Sequence, residues 1–167
     1  MHVLVTYASK YGATAGIAEA IGKGLSAAGL TADVTEVKAA GDIGAYDAVV
    51  LGSGLYMGRW LKDAARFLKR NESALATKKV WIFSSGPTEE GDPEEAVEGW
   101  GFPKGLQPVA DRIKPVEIKV LAGAADPDKL RGFDRWVLKQ VKAPTGDFRD
   151  WDAIAAWAAE IAAVLTA

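Results

Sequence analysis

The stretch VLVTYASKYGAT, residues 3–14, indicates the fold of this chain. Its first five residues form an apolar run typical of a buried strand, and a loop of small and polar residues leads into a helical pattern. A helix that begins directly after a strand presents unpaired backbone N–H groups and a positive dipole end, which favour a bound phosphate. The candidate binding residues of this loop are Ser9, Lys10, Tyr11, Gly12, Ala13 and Thr14. The alternative is an ordinary turn, because Ser, Thr and Gly are common in turns.

Outward from this stretch, apolar strands alternate with helical patterns. Strands are predicted at residues 3–7, 32–37, 48–51, 80–83 and 116–121. Helical stripes are predicted at Ile17, Ile21 and Leu25, at Leu61, Ala65 and Leu68, and along a final helix from Trp151 to Leu165 that Asp150 caps. This alternation predicts a single α/β domain over residues 1–167, with a parallel sheet covered on both faces. Ligands of such sheets bind beyond the carboxyl ends of the strands, so the loops there form the candidate site.

The composition excludes several chemistries. The 167 residues include no Cys and one His, so the chain cannot build a disulfide, a thiolate-ligated metal centre or a two-His metal site. His2 lies beside the chain start, which argues against a Ser-His-Asp triad. A net charge of −2 favours no nucleic-acid partner. Redox chemistry would therefore need an organic cofactor, with no catalytic side chain and no metal.

Two further loops follow predicted strands. The first, residues 52–60, contains Gly54, Leu55, Tyr56, Met57 and Gly58, and its glycines with an aromatic residue fit a loop around a flat ring. The alternative is that its aromatic residues pack under the next helix, which we favour for Trp60 but not for Tyr56. The second begins with Ser84, Ser85 and Gly86, small residues that allow close backbone approach. Six acids and no base then lie between residues 88 and 98, as expected of a solvated segment.

These three loops resemble those of flavodoxins. In that resemblance the pattern Ser9-x-x-Gly12-x-Thr14 binds the phosphate of FMN, Tyr56 stacks on the isoalloxazine ring, and residues 84–86 form the second ring loop. The resemblance implies a flavodoxin-like doubly wound fold with a five-stranded parallel sheet in the order 2-1-3-4-5. It also implies FMN as the cofactor.

A narrower resemblance covers almost the whole chain. Lys10, the AGA of residues 122–124, the FDRW of 133–136 and the GDFRDW of 146–151 are similar to the menaquinone-dependent protoporphyrinogen oxidase family. This resemblance implies an FMN-dependent oxidoreductase that passes electrons from a protoporphyrinogen-like substrate to a quinone.

A helical insertion is predicted at about residues 126–144. It carries five bases and three acids, a net charge of +2, and places Leu130, Phe133, Val137 and Val141 on one helical face with Trp136 alongside. A basic amphipathic helix can contact an anionic membrane or a partner. The alternative, which we favour, is that its apolar face packs on its own domain.

Three functions remain open from the sequence. The first is the oxidoreductase just described, and the second is an electron carrier that docks to a redox partner protein. The third is a module that has lost FMN and binds only proteins, against which Ser9, Gly12 and Thr14 argue. The apolar residues 3–5 lack the features of a signal peptide and no stretch is long enough to span a membrane, so we expect a cytoplasmic protein with at most peripheral contact at the inner face of the membrane.

Overall fold

A computed structural model describes residues 1–86, 88, 91–97, 99, 101–140 and 145–167. The strands in this part of the chain are β1 (His2–Ala8), β2 (Thr31–Glu36), β3 (Ala48–Tyr56), β4 (Arg59–Trp60), β5 (Lys79–Ser85), β6 (Glu117–Leu121), β7 (Ala124–Ala125) and β8 (Gly146–Asp147). The helices are α1 (Ala13–Ala27), α2 (Lys62–Arg70), α3 (Glu72–Leu75), α4 (Pro93–Ala96), a 3₁₀ turn at Lys104–Leu106, α5 (Gln107–Ile113), α6 (Gly132–Gln140) and α7 (Trp151–Thr166). Three acids of the predicted acidic segment, at 89, 90 and 98, and the end of the predicted insertion, residues 141–144, lie outside the described residues.

The main sheet is parallel, in the order β2-β1-β3-β5-β6. In its register, Val5 of β1 lies beside Val34 of β2 and Val50 of β3. The predicted order 2-1-3-4-5 is confirmed, because β4 only adds a short antiparallel arm to β3. The winding direction reverses between β1 and β3, and a crevice at their carboxyl ends is the expected result.

Helices cover both faces of the sheet. Side chains along β1 alternate between the faces, so Val3 and Val5 pack in one cluster with α1 and α7 while Leu4 packs in another with Phe67 of α2. Val3, Leu4 and Val5 are fully buried. Each such side chain contributes about 1.5–3 kcal/mol through removal of apolar surface from water. The prediction of apolar strands buried on both sides is confirmed for β1, β3 and β5, whereas β2 at the sheet edge is mostly exposed.

The helix predictions are confirmed in α1 and α7 and shifted in α2. Ile17, Ile21 and Leu25 are fully buried, and the side chain of Asp150 caps α7 by accepting a hydrogen bond from the backbone N–H of residue 153 at 2.9 Å. In α2 the buried residues are Ala64, Phe67 and Leu68, whereas the predicted stripe was Leu61, Ala65 and Leu68. The helix begins at Lys62, so Leu61 precedes it and the buried face is rotated.

Strands β3 and β5 are longer than predicted. The glycines after Leu51 were interpreted as loop residues, but β3 continues through them to Tyr56. A Cβ atom at Gly52 would lie 2.0 Å from the Cζ atom of Phe83, so glycine is needed there for close packing within the sheet. Ser84 and Ser85 likewise belong to β5 and are buried, so the third predicted loop begins only at Gly86.

The predicted helical insertion contains a shorter helix. The chain turns at residues 126–131, where the backbone N–H of Asp128 donates to the Asp126 side chain at 3.0 Å, and α6 occupies Gly132–Gln140. Such local side-chain hydrogen bonds compete with helix formation. Leu130 is buried before the helix begins, whereas Phe133 is 72% exposed, so these two residues do not share one packed helical face. The short hairpin β7–β8 joins the two ends of this region.

Candidate functional site

A cavity of about 530 Å³ opens at the carboxyl ends of β1, β3 and β5, and we call it the strand-end cavity. Its volume is within the usual range for a small-molecule or cofactor site. Twelve of the fourteen site residues predicted from the sequence line it, and Gly58 and Ser84 do not. The lining residues used below are Ser9, Lys10, Tyr11, Gly12, Ala13, Thr14, Gly54, Leu55, Tyr56, Met57, Ser85, Gly86, Gly123, Leu130, Phe133, Asp134, Val137 and Arg149.

The loop between β1 and α1 has the geometry of an anion-binding cradle, and we call it the cradle. Helix α1 has no side-chain N-cap, and its first turn lines the cavity. The Ser9 hydroxyl oxygen accepts a hydrogen bond from the Gly12 N–H at 3.0 Å, which shapes the loop. Gly12 has φ 91°, a conformation that favours glycine, and a Cβ there would meet no atom within 4 Å. Open space before an uncapped helix N-terminus suits a phosphate.

The hairpin between β3 and β4 forms the second wall. Leu55 and Tyr56 pair with Trp60 and Arg59, which leaves a two-residue turn at residues 57–58. Both turn residues have positive φ, 51° at Met57 and 73° at Gly58. Two-residue hairpins with this conformation match the twist of the strands and favour Asn or Gly, so Met57 is in a strained position. Met57 is 83% exposed at the cavity rim.

Ser84 packs in the protein interior and does not line the cavity. It is fully buried, and its hydroxyl accepts a hydrogen bond from the Trp60 Nε1–H at 2.9 Å. Trp60 is also buried and contacts the edge of the Phe102 ring, in line with the packing role favoured for it. Ser85 and Gly86 do reach the cavity. Alternation along β5 explains the difference, because neighbouring residues of a strand point to opposite faces.

Sequence reasoning missed the contribution of the region after β6. A Cβ atom at Gly123 would lie 3.3 Å from the Gly86 backbone nitrogen, so this glycine lets two cavity-lining loops approach each other. Arg149 forms a two-point ion pair with Asp147 and donates from Nη1 to the Ala13 carbonyl oxygen at 3.3 Å. Residues 146–151 were interpreted only as part of a family resemblance. Arg149 within them was the signal that could have identified this contribution to the site.

A polar cluster links the first loop to α6. Lys10 Nζ forms an ion pair with Asp134, and the Tyr11 hydroxyl donates to the same carboxylate oxygen at 2.5 Å. Lys10 Nζ also lies 5.2 Å from the centre of the Tyr56 ring. Burial is the largest cause that raises the pKa of Tyr56, followed by the neighbouring Tyr11 and Asp134. Tyr56 is therefore a neutral aromatic residue at physiological pH.

The cavity thus combines an anion cradle with small and aromatic residues. Among the described residues, no group of three acidic or His side chains could hold a metal ion. No helix in the same part of the chain has the length and hydropathy needed to cross a bilayer. The arrangement suits a ligand with a phosphate at one end and a flat ring at the other.

Comparison with known proteins identifies the family. The chain has 16% identity and a TM-score of 0.65 to a flavodoxin from the domain Archaea, with 100% of both chains covered. It has 18% identity and a TM-score of 0.62 to a single-site mutant of flavodoxin from Pseudomonas aeruginosa, again over 100% of both. Rubredoxin oxygen:oxidoreductase from Desulfovibrio gigas has 18% identity and a TM-score of 0.57, with 99% of this chain and 36% of that chain covered.

These low identities support the fold alone, and no curated protein sequence matches the chain. The family model described as "Flavodoxin domain" matches residues 4–152, which is most of the chain. This match, in accord with the sheet order, shows that the chain belongs to the flavodoxin domain family, and membership of this family assigns FMN as its cofactor.

Proposed function

We propose that this protein is an FMN-dependent oxidoreductase that passes electrons from a small reduced substrate, similar to protoporphyrinogen, to a quinone. The observation that supports this proposal is the group of apolar side chains, here called the apolar wall, that residues 126–140 add to the strand-end cavity beside the charged Asp126, Lys129 and Asp134. Leu130, Phe133 and Val137 all line the cavity outside the three loops that the flavodoxin resemblance assigns to FMN. An apolar wall beside the cofactor would favour a flat apolar substrate over water.

The residues present fit FMN at this site. The open cradle at Gly12, the uncapped start of α1 and the hydroxyl groups of Ser9 and Thr14 would bind the phosphate. The ring would lie among Gly54, Leu55, Tyr56, Met57, Ser85 and Gly86. Bound FMN supplies the acceptance and release of electrons, which no side chain of this protein can supply.

The protein's own residues would bind the cofactor, cover it and orient it. Gly54 lies beside the cradle, because a Cβ atom there would be in van der Waals contact with the Thr14 hydroxyl oxygen at 3.4 Å. Tyr56 would offer an aromatic face that stays neutral across the physiological pH range. Leu130 and Val137 would exclude water from the reacting face. Gly58, outside the cavity lining, would act only through the conformation of the turn at residues 57–58.

We also propose that the protein contacts the quinone at a membrane surface. Helix α6 exposes Phe133 and Trp136, whose rings stack with centres 6.0 Å apart. Arg135 and Lys139 on the same helix are exposed as well. Aromatic residues flanked by bases favour the surface of an anionic bilayer. The contact would be peripheral, through the helical part of residues 126–144.

The test is an FMN titration followed by turnover measurements. The purified protein is loaded with FMN, and protoporphyrinogen IX oxidation is measured with a menaquinone analogue in neutral or anionic vesicles, or with no quinone. We expect tight FMN binding and quinone-dependent turnover that is faster with anionic vesicles. Tight FMN binding without turnover in any condition would contradict the oxidoreductase proposal.

The second candidate is an electron carrier that docks to a partner protein. Met57 and Phe133 favour it, because both are largely exposed and both line the cavity, and a group of exposed apolar side chains around a cofactor site would suit a docking surface. A carrier would show no turnover without a partner reductase. Its affinity for that partner would fall as salt concentration rises, since exposed charges are screened.

A further inference from the structure

Residues 126–140, here called the roof segment, are held at their base by the hairpin β7–β8. Ala124 pairs with Asp147 and Ala125 with Gly146, so the two ends of the region leave the domain side by side. The Phe148 N–H then donates to the Gly123 carbonyl oxygen at 3.0 Å. Backbone hydrogen bonds therefore hold the two ends of the roof segment together at its base.

The far end of the roof segment is attached through side chains. Asp134, in the first turn of α6, accepts from both Lys10 and Tyr11 of the loop between β1 and α1. The Arg131 N–H also donates to the Tyr11 hydroxyl oxygen, at 3.4 Å. Tyr11 thus donates to one residue of the roof segment and accepts from another, which fixes its position against the loop.

The apolar wall of the strand-end cavity lies between these two attachments. Leu130, Phe133 and Val137 all belong to the roof segment, and Leu130 is only 8% exposed. Among the described residues, the polar contacts that join the roof segment to the first loop are those of Asp134 and Arg131, whereas the hairpin holds only the base. Lys10 was interpreted from the sequence as a phosphate-binding residue. In this geometry its ammonium group already has a carboxylate partner.

We propose that Asp134 is the positioning residue that holds the roof segment closed over the FMN site, with Lys10 and Tyr11 as its anchors and not as phosphate ligands. This inference rests on the placement of FMN given under the proposed function. The cofactor's phosphate is bound by the cradle of Ser9, Gly12 and Thr14. The attachment at Asp134 slows the escape of the whole cofactor, whichever end of it leaves first.

The strength of the attachment suits a cover that opens and closes. Hydrogen bonds to charged groups stabilise more than neutral ones, and Asp134 accepts from two donors. The Lys10 side chain is nevertheless 44% exposed, so solvent screening weakens its ion pair. The Lys10 hydrogen bond is the largest cause that lowers the pKa of Asp134, followed by that from Tyr11, so the carboxylate is charged at neutral pH.

The experiment measures dissociation rates of FMN and of riboflavin, which lacks the phosphate. The variants are Asp134→Ala, Lys10→Met and the double variant, and the matched control is Asp128→Asn. Asp128 is an exposed acid of the roof segment that neither lines the strand-end cavity nor forms an ion pair with the described residues. We expect Lys10→Met to release both ligands about tenfold faster, as loss of one charge-assisted attachment implies, and Asp134→Ala, which also loses the bond from Tyr11, to release them at least as fast. The double variant should be no faster than Asp134→Ala, and the control should match wild type.

A different pattern would overturn the inference. If Lys10→Met speeds release of FMN but not of riboflavin, while Asp134→Ala changes neither, Lys10 is a phosphate ligand and the roof segment needs no attachment. Hydrogen exchange in the apo protein gives a readout without ligand or turnover. Amides of residues 126–137 should exchange faster in Asp134→Ala than in Asp128→Asn, with unchanged exchange in β1 and β3. Equal protection in both variants would also contradict the inference, whereas absent turnover with quinone would contradict only the oxidoreductase proposal.

Discussion

At the scale of single residues, glycines decide how closely the strands and loops of this protein approach one another. Gly52 accommodates the ring of Phe83, and Gly123 admits the backbone of Gly86. At Gly12 the reason is conformational, since its φ of 91° strains a residue with a side chain. The first two glycines pack the sheet and the cavity walls, and the third opens the cradle.

We predict that Gly52→Ala destabilises the protein by about 1–3 kcal/mol or more, which is typical of overpacking in a well-packed core. Three atoms of the Phe83 ring lie 2.0–2.6 Å from the added methyl group, so the ring or the strand must move. Urea unfolding of the apo protein measures the loss. The control is Gly105→Ala, where an added Cβ meets no atom within 4 Å. Equal stability of Gly52→Ala and wild type would contradict the prediction.

At the scale of elements, the roof segment is the part of the structure that joins distant pieces of sequence. Its helix α6 contacts the loop before α1 through residues more than a hundred positions apart. Helix α7 illustrates the opposite case, because Asp150 caps it through a contact only three residues away. Local signals identified α7 with its cap, whereas the attachment of α6 needed the folded chain.

We predict that the attachment of the roof segment depends on pH. Hydrogen bonds from Lys10 and Tyr11 lower the pKa of Asp134 below its ordinary value. A carboxylate with a lowered pKa in the folded state contributes stability above its unfolded pKa, and loses that contribution as the pH falls through the lowered value. The stability difference between wild type and Asp134→Asn should therefore be constant from about pH 7 to 5 and shrink below about pH 4.

Urea unfolding of both proteins across that pH range measures the difference. The bond between Lys10 and Asp134 also raises the pKa of Lys10, so its contribution is present below the unfolded pKa of the amine and is lost only as pH rises through the raised value. If the stability difference between wild type and Asp134→Asn is as large at pH 3 as at neutral pH, the role assigned to the Asp134 carboxylate is contradicted.

At the scale of the whole molecule, the site is assembled from both ends of the chain. Ser9 and Thr14 come from the first loop, Tyr56 from a central hairpin and Arg149 from the last turn before α7. A ligand that contacts all of these elements binds the folded state and not the unfolded chain. FMN binding should therefore stabilise the entire domain through mass action.

We predict that FMN at a hundred times its dissociation constant raises the free energy of unfolding by about 2.7 kcal/mol. For a protein of this size the melting temperature should rise by roughly 5–10 °C. Differential scanning calorimetry with and without FMN measures the shift. Riboflavin at the same concentration should produce a smaller rise, because it cannot use the phosphate cradle. Equal shifts with the two ligands would contradict the role assigned to Ser9, Gly12 and Thr14.

The sequence by itself determined the fold class, the sheet order through its resemblance, and the position of the loop that we propose binds the phosphate. Apolar runs and helical periodicity are local, and so is the change from strand to helix around Gly12, so these features could be read without the fold. The same local signals misplaced the end of β3, because the reason for Gly52 is the ring of Phe83 on a neighbouring strand. From the sequence alone, a glycine in a loop cannot be distinguished from a glycine in a close-packed strand.

Only the tertiary structure decided what the side chains of the first loop contact. Lys10, predicted to face a phosphate, lines the strand-end cavity, and only the fold shows that it also forms an ion pair with Asp134. Arg149 and Gly123 line the strand-end cavity although the site prediction omitted both. Contacts between residues so far apart depend on how the β7–β8 hairpin directs the roof segment across the cavity. Periodicity records which face of an element is buried, and it carries no information about which distant partner covers that face.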